Sequence, residues 1–380
     1  MHSIVEILMD KQGVMLETLR QMVDKESPTL DKELTDDLAA FTAGLFEELT
    51  GGTASIIQND YYGNHIRGEF GSGEEQILLL SHFDTVWQKG DINGKIPFKI
   101  EGDIAYGPGV FDMKGGLVQG LYALHALKES KEILNKKVVF LFTSDEELGS
   151  PSSQKLIEEE AKKSNCVLVL EPAISKKGAL KTARKGVGIF KVHIKGKSAH
   201  AGVEPEKGLS AILELSKQVT YLHNLTDYCR GTTVNVGKIS GGTTVNVIAA
   251  EAEADIDLRV KTQAEFDRII PIIKNLKSTT AGVVVKVAGG INRPPFERTD
   301  QVISLFNIAK KVARDYLGMT LEEMETGGGS DGNFTAPFAP TLDGLGAVGG
   351  GAHALNEHII ISEMPIRSAL LALLIKELAN

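Results

Sequence analysis

Residues 77–84 read Ile77-Leu78-Leu79-Leu80-Ser81-His82-Phe83-Asp84. Four consecutive apolar side chains leave no polar face, which suits a strand covered on both sides, as in a parallel sheet. The run ends in an imidazole and a carboxylate two residues apart, a spacing that turns both the same way in a strand. The design recurs downstream. Val138-Val139-Phe140-Leu141-Phe142 leads into Thr143-Ser144-Asp145-Glu146-Glu147, and Val167-Leu168-Val169-Leu170 leads into Glu171-Pro172. Between these runs, 116–127 and 152–163 read as helices. Strands alternating with helices predict an α/β fold whose sheet is flanked by helices.

Upstream, Ile4, Ile7, Leu8, Met15, Leu16, Leu19 and Met22 recur at helical spacing, and a second helix is expected over 30–49. From about residue 178 the texture changes. Residues 187–194 alternate like a half-exposed strand. A helix (208–222), two strands (232–239 and 245–260), a helix (264–276) and a strand (283–287) follow. The order β-α-β-β-α-β predicts a ferredoxin-like split βαβ sandwich. We therefore expect 178–291 to be inserted between the halves of an α/β domain formed by 1–177 and 292–380. Helices are expected near 300–317 and 364–378.

The bulk properties narrow the partners. A length of 380 residues suits two or three domains. A net charge of -9 argues against nucleic acid or an anionic membrane as partner. Cys166 and Cys229 form no paired motif, which fits a reducing compartment. The start of the chain lacks the pattern of a signal peptide, and no window approaches the roughly 20 apolar residues of a spanning helix. A cytoplasmic protein is expected.

The chemistry gathers at the strand ends. Besides His82 and Asp84, Asp112 sits in the glycine-rich turn Tyr106-Gly107-Pro108-Gly109-Val110-Phe111-Asp112-Met113-Lys114-Gly115-Gly116. Glu146, Glu147 and Glu171 end apolar strands, and His353 follows Gly349-Gly350-Gly351-Ala352. Each alone has an ordinary reading: a surface His, an N-cap Asp, a solvated acid. Together they lie where open α/β sheets gather ligands, at the carboxyl ends of strands. Imidazole and carboxylate without cysteine suit zinc, and cobalt or manganese less specifically. A carboxylate shared between two ions gives the paired geometry, about 3.5–4 Å apart, that clamps a hydrolytic transition state. A dinucleotide-binding oxidoreductase is disfavoured, because Gly186-x-Gly188 lacks a third glycine and the tract at 327–332 follows no clear strand. A non-catalytic metal-binding module needs no base, yet Glu146 is present.

These segments resemble the dinuclear zinc exopeptidase family, which includes glutamate carboxypeptidase, aminoacylase, succinyl-diaminopimelate desuccinylase and tripeptidase. The likeness runs from about His82 to the C-terminus. It rests on HFDTV, YGPGVFDMKGG, TSDEELGS, LEPA, GKSAHAG, GGTTVNVIAAEAEADIDLR, TGGGSDGNF and GGAHALNEH, and is strongest to the glutamate carboxypeptidase branch. It implies two zinc ions per subunit. Asp112 bridges them, His82 and Glu171 complete one site, and Glu147 and His353 the other. Glu146 is the implied general base and Asp84 orients His82. His200 reaches the active site of a partner subunit in a homodimer made by the inserted domain. Asn246, Arg259 and Arg293 hold the substrate's carboxylate and backbone. The implied reaction cleaves an amide bond beside a free carboxylate in a small peptide or N-acyl amino acid. A deacylase, desuccinylase or tripeptidase is the alternative. The resemblance also implies a cis Asp112–Met113 bond. Met113 replaces the second Asp usual in that branch, Ala249 stands where Pro is frequent, and Glu171, where some peptidase branches carry Asp, favours carboxypeptidases and deacylases.

Overall fold

A computed structural model describes residues 2–380. The chain divides into two compact units. One runs to Ala183 and resumes over Arg298–Thr326 and Ser330–Asn380. The other comprises Arg184–Glu297 with Gly327–Gly329.

The first unit is built on a six-stranded sheet. Its strands are β1 (Thr53–Ile57), β2 (His65–Phe70), β3 (Gln76–His82), β4 (Lys137–Thr143), β5 (Ser164–Val169) and a short strand, Thr341–Leu342. Their spatial order is β1, β2, β4, β3, β5, Thr341–Leu342. β3 runs parallel to β4 and to β5, while β1 and β2 add an antiparallel edge. The apolar run of β3 divides its side chains between two cores. Ile77 and Leu79 pack with the helices Gly115–Glu129 and Glu363–Ala379, and Leu78 and Leu80 pack with Ile157 and Ala161 on the opposite face. All four β3 side chains are fully buried. At roughly 1.5–3 kcal/mol for each such burial, this strand anchors both layers. The chain leaves β3 for β4 on one side and then returns past β3 to β5 on the other. That reversal opens a crevice beyond the carboxyl ends of the parallel strands.

Two glycines fix the end of β5. A Cβ at Gly116 or at Gly346 would fall 2.0 Å from the carbonyl oxygen of Leu170. The peptide preceding Glu171 is thus gripped from two sides at a distance only glycine allows. Arg367, fully buried on the last helix, donates to the carbonyls of Gly178, Gly344 and Gly346 and holds the Gly346 side of that grip. Burial pushes its guanidinium down to about 10.

The second unit is a four-stranded antiparallel sheet. It contains β6 (Gly186–Lys195), β7 (Thr233–Gly241), β8 (Glu251–Val260) and β9 (Val284–Arg293), in the order β7-β8-β6-β9. Alternate residues Phe190, Val192, Ile194, Ala252, Ala254, Ile256 and Leu258 pack against the helices Ala211–His223 and Gln263–Lys274. This is the ferredoxin-like arrangement.

Several expected boundaries move. The second unit starts at Arg184 and not at 178, because Leu180–Arg184 pairs with Glu323–Thr326 and Lys181 bridges to Asp343 within the first unit. It ends at Glu297 and not at 291, because β9 continues to Arg293 and Phe296 exchanges backbone hydrogen bonds with Arg184 at 2.9 and 3.0 Å. The strand expected from 245 starts at Glu251. Residues 246–248 instead bond to the 199–201 loop, and Val245 is fully exposed. The first helix is two, Ser3–Asp10 and Gln12–Asp24. The edge strands β1 and β2 escaped the sequence reading, being short and mixed in polarity. No helix among the described residues is long and apolar enough to cross a membrane.

Candidate metal centre and active site

The carboxyl ends of β3, β4 and β5 bring His82, Asp84, Glu146, Glu147 and Glu171 to one crevice of the first unit, and two turns add Asp112 and His353. Asp112 lies between the imidazoles. Its Oδ1 is 3.3 Å from His82 Nε2, and its Oδ2 is 3.4 Å from His353 Nε2. Glu171 Oε1 approaches the same His82 nitrogen at 3.6 Å. His353 Nε2 is 3.2 Å from Glu147. Ligand atoms of His82, Asp112 and Glu147 all lie within 4.8 Å of one another, as metal-holding side chains do. The Asp112–Met113 peptide bond is cis.

The residues fit a cation. His82 is buried, and its Nδ1 faces the Asp84 backbone carbonyl at 3.1 Å and the Asp84 carboxylate at 3.4 Å. With Nδ1 carrying the proton, Nε2 turns its lone pair into the centre. There it is a buried polar atom without a hydrogen-bond partner among the described residues. Such an atom costs free energy unless something coordinates it. Burial alone would push the His82 imidazole down, but Asp112, Asp84 and Glu171 outweigh it and hold it well above its ordinary value. Hydrogen bonding to Asp112 and Glu147 lifts His353 to about 10. Burial pushes the Asp112 carboxyl up, and His353 and His82 overcome this and hold it well below the usual range. Burial raises Glu147. The cluster demands positive charge, which a divalent cation supplies without protonating its ligands.

Asp84 does more than steer His82. Its carboxylate accepts the backbone N–H groups of Glu146 (3.3 Å) and Glu147 (3.2 Å) and the Thr29 hydroxyl (2.8 Å). It therefore fixes the short turn Glu146–Leu148 against the end of β3. Asp145, the remaining acid of that run, points away from the cluster. It accepts from the backbone N–H and hydroxyl groups of Ser152 and Ser153 at 2.6–3.3 Å.

Other residues escaped the sequence reading. Glu357 accepts the backbone N–H groups of Gly109, Phe111 and Asp112. Asp331 accepts from Thr143 and Ser150 below the same turn. Lys181 Nζ lies 3.9 Å from Glu171. Lys114 is buried and donates to the carbonyls of Met22 and Lys25, and burial lowers its ammonium to about 7. The only signal for Glu357 was its place four residues after His353.

The remaining expected site residues belong to the second unit. His200 is exposed, and its Nδ1 accepts the backbone N–H groups of Gly202 and Val203, each at 3.1 Å. With Nδ1 accepting, Nε2 carries the ring proton and is a donor. Asn246 lies on the neighbouring loop, where its carbonyl accepts from Ala201 N–H at 2.9 Å. Arg259 and Arg293 are the cross-strand partners of Val187 on its two sides. A bulge between Ile291 and Arg293 places Arg293 in that row, a common use of bulges beside functional sites. Gly329 packs on it, since a Cβ there would fall 2.8 Å from Arg293 Cδ.

Residues 78–377 match the model of peptidase family M20/M25/M40. The chain belongs to this peptidase family. As an M20 member it is a metallopeptidase-type hydrolase of amide bonds in peptides or acylated amino acids. It is 34% identical over 380 residues to carboxypeptidase G2 of Pseudomonas sp. (strain RS-16), covering 97% of this chain and 90% of that protein. It is 27% identical over 299 residues to succinyl-diaminopimelate desuccinylase of Legionella pneumophila (strain Corby), covering 74% and 78%. The crystal structure of aminopeptidase PepT from Bacillus cereus superposes with a TM-score of 0.81 at 25% identity, covering 97% of this M20 chain and 99% of PepT.

Proposed function

We propose that this M20 enzyme is a two-zinc, carboxypeptidase-like hydrolase that cleaves an amide bond next to a free carboxylate. The observation that carries the reading is Asp112, whose two oxygens face one imidazole each. That placement supports a carboxylate shared by two ions. His82 and Glu171 would hold one ion, and Glu147 and His353 the other, with Asp112 common to both. Zinc held by these residues would supply Lewis acidity toward the attacking water and the amide carbonyl. Glu146, next to a ligand but outside the ligand set, takes the proton of the attacking water and returns it to the leaving amine. Asp84 orients His82. His200, with its donor tautomer set, stabilises the developing oxyanion. Arg293, Arg259 and Asn246 recognise the substrate's carboxylate and backbone, which the likeness to carboxypeptidase G2 supports.

His200 is read as acting on the active site of a partner subunit, in a homodimer formed through the second unit. The exposed position of His200 supports this. The unpaired Cys166 and Cys229 support a cytoplasmic setting. The deciding experiment is a hydrolysis screen of zinc-loaded protein against N-acyl amino acids, dipeptides ending in glutamate, and the C-terminal amides of both. Cleavage of the acids with weak or no cleavage of the amides supports the reading. Equal cleavage of both forms overturns it.

A further inference from the structure

Glu357 is 1% exposed, and its carboxylate is surrounded by donors. Oε1 accepts the backbone N–H groups of Phe111 (2.9 Å) and Asp112 (3.0 Å). Oε2 accepts the backbone N–H of Gly109 (3.0 Å) and the indole N–H of Trp87 (2.7 Å). Three of the four donors belong to the turn that carries Asp112. The backbone of Glu357 meanwhile belongs to the turn that carries His353: its N–H bonds the Ala354 carbonyl at 2.9 Å, and Ala354 N–H bonds Gly351 at 2.9 Å. Asp112 is therefore met twice by one turn, at its side chain by His353 and at its peptide nitrogen by Glu357.

We propose that Glu357 is a positioning residue of the metal centre, tying the backbone of Asp112 to the His353 turn so that both Asp112 oxygens meet their imidazoles together. The inference rests on Asp112 as the shared ligand. Its chemistry admits no substitute for the carboxylate. Two donors face each oxygen, so a carboxamide must turn an NH2 group toward two N–H groups whichever way it flips. The donors are mostly backbone, so they cannot rotate away. A displaced peptide at Asp112 moves its carboxylate, and groups behind metal ligands typically matter about 10- to 100-fold in affinity.

The test uses the full chain stripped by chelator and titrated with Co2+, followed by calorimetry and by the visible absorption of the bound ion. Glu357→Gln is expected to weaken uptake about 10- to 100-fold and to alter the Co2+ absorption bands. Backbone amide exchange at Gly109, Phe111 and Asp112 is expected to speed up. With Co2+ saturating, kcat should fall while KM stays within about twofold, because a positioning defect acts on the reacting geometry. Trp87→Phe removes one donor from Oε2 and none from Asp112, and its effect on uptake should stay under about threefold. Uptake and absorption equal to wild type in Glu357→Gln overturn the proposal, as does an equal loss in Trp87→Phe, which would mean packing alone matters. If Glu357→Gln does not fold, Glu357→Asp keeps the charge but withdraws it by one methylene, and wild-type uptake there overturns the proposal equally. Failure of the wild-type chain to take up Co2+ overturns the shared-ligand reading and this inference together.

Discussion

Arg259 donates to Asp257, two residues earlier on β8, with its Nε and Nη2 each 2.9 Å from a carboxylate oxygen. Part of its fork is thereby committed, and its charge is offset before any substrate arrives. Arg293, on the other side of Val187, is brought into the row by a bulge and is 4% exposed. In the proposed function both arginines hold the substrate's carboxylate and backbone. Arg293→Lys removes planar bidentate recognition and should raise KM about tenfold or more, in line with roughly 1.5–3 kcal/mol for a hydrogen bond to a charged group. Arg259→Lys should raise it as well. Steady-state kinetics on one N-acyl amino acid checks both, and an unchanged KM in Arg293→Lys contradicts its role.

Glu146→Ala should leave metal content unchanged and reduce kcat about 100- to 10,000-fold, the usual range for a general base. Elemental analysis beside single-turnover kinetics separates proton transfer from affinity. Loss of metal in this variant would move Glu146 into the ligand set.

Chelation should abolish hydrolysis and lower Tm, and added zinc or cobalt should restore both. The carboxylates around His82 and His353 then have only protons to balance them. A ligand at 100 times its Kd stabilises the folded state by about 2.7 kcal/mol, so Tm should depend on free metal concentration. A Tm indifferent to metal would show that no cation binds the folded chain.

His200→Ala and Glu146→Ala damage complementary parts of the proposed mechanism. If His200 serves the partner's site, each mixed dimer has one intact site. Random exchange makes half the dimers mixed, so about a quarter of wild-type activity should return when the two inactive variants are mixed. No recovery after exchange, verified by mass-tagged subunits, would confine His200 to its own chain.

Glu214, buried in the second unit, provides a pH signature. Burial alone pushes its carboxyl up, but bonds from Thr280, Thr279 and Gln218 outweigh burial and hold it at about 2, against an ordinary 4.5. A depressed carboxylate stabilises the fold above its unfolded value and loses that contribution as pH falls through the folded one. Glu214→Gln should therefore lower Tm at neutral pH, with a gap that narrows as pH falls from about 4.5 toward 2. A gap that widens on acidification would reverse the sign of this account.

Much of the catalytic unit was legible in sequence because its parallel strands are apolar on both faces and end in polar groups. Leu78 to Leu80 announced a doubly covered strand, and His82 and Asp84 followed at the spacing that lets one orient the other. Residues whose work is done through backbone groups were not legible. Glu357 serves peptide N–H groups of a turn far away in sequence, and nothing in Asn356-Glu357-His358 signals that. Asp145 and Glu147 look alike in a run of three acids, yet one points to Ser152 and Ser153 and the other to His353. The bulge before Arg293 was invisible for a related reason. Alternation blurs in Ala288-Gly289-Gly290-Ile291-Asn292, where glycines carry no side chain to mark a face.

Arg184 and Phe296 exchange both backbone hydrogen bonds, so the segment between them starts and ends at one two-stranded neck, while Gly327–Gly329 join the second unit separately. The 111 intervening residues, 185–295, thus behave as a cassette with adjoining ends. Replacing them with a two-residue hairpin turn spans the gap without stretching the flanking chain, since such turns join strands already paired in this way. Conversely, the excised segment starts and stops at the same place, so it can be grafted into a loop of an unrelated host. The two hydrogen bonds between Arg184 and Phe296 are the doorway of that segment.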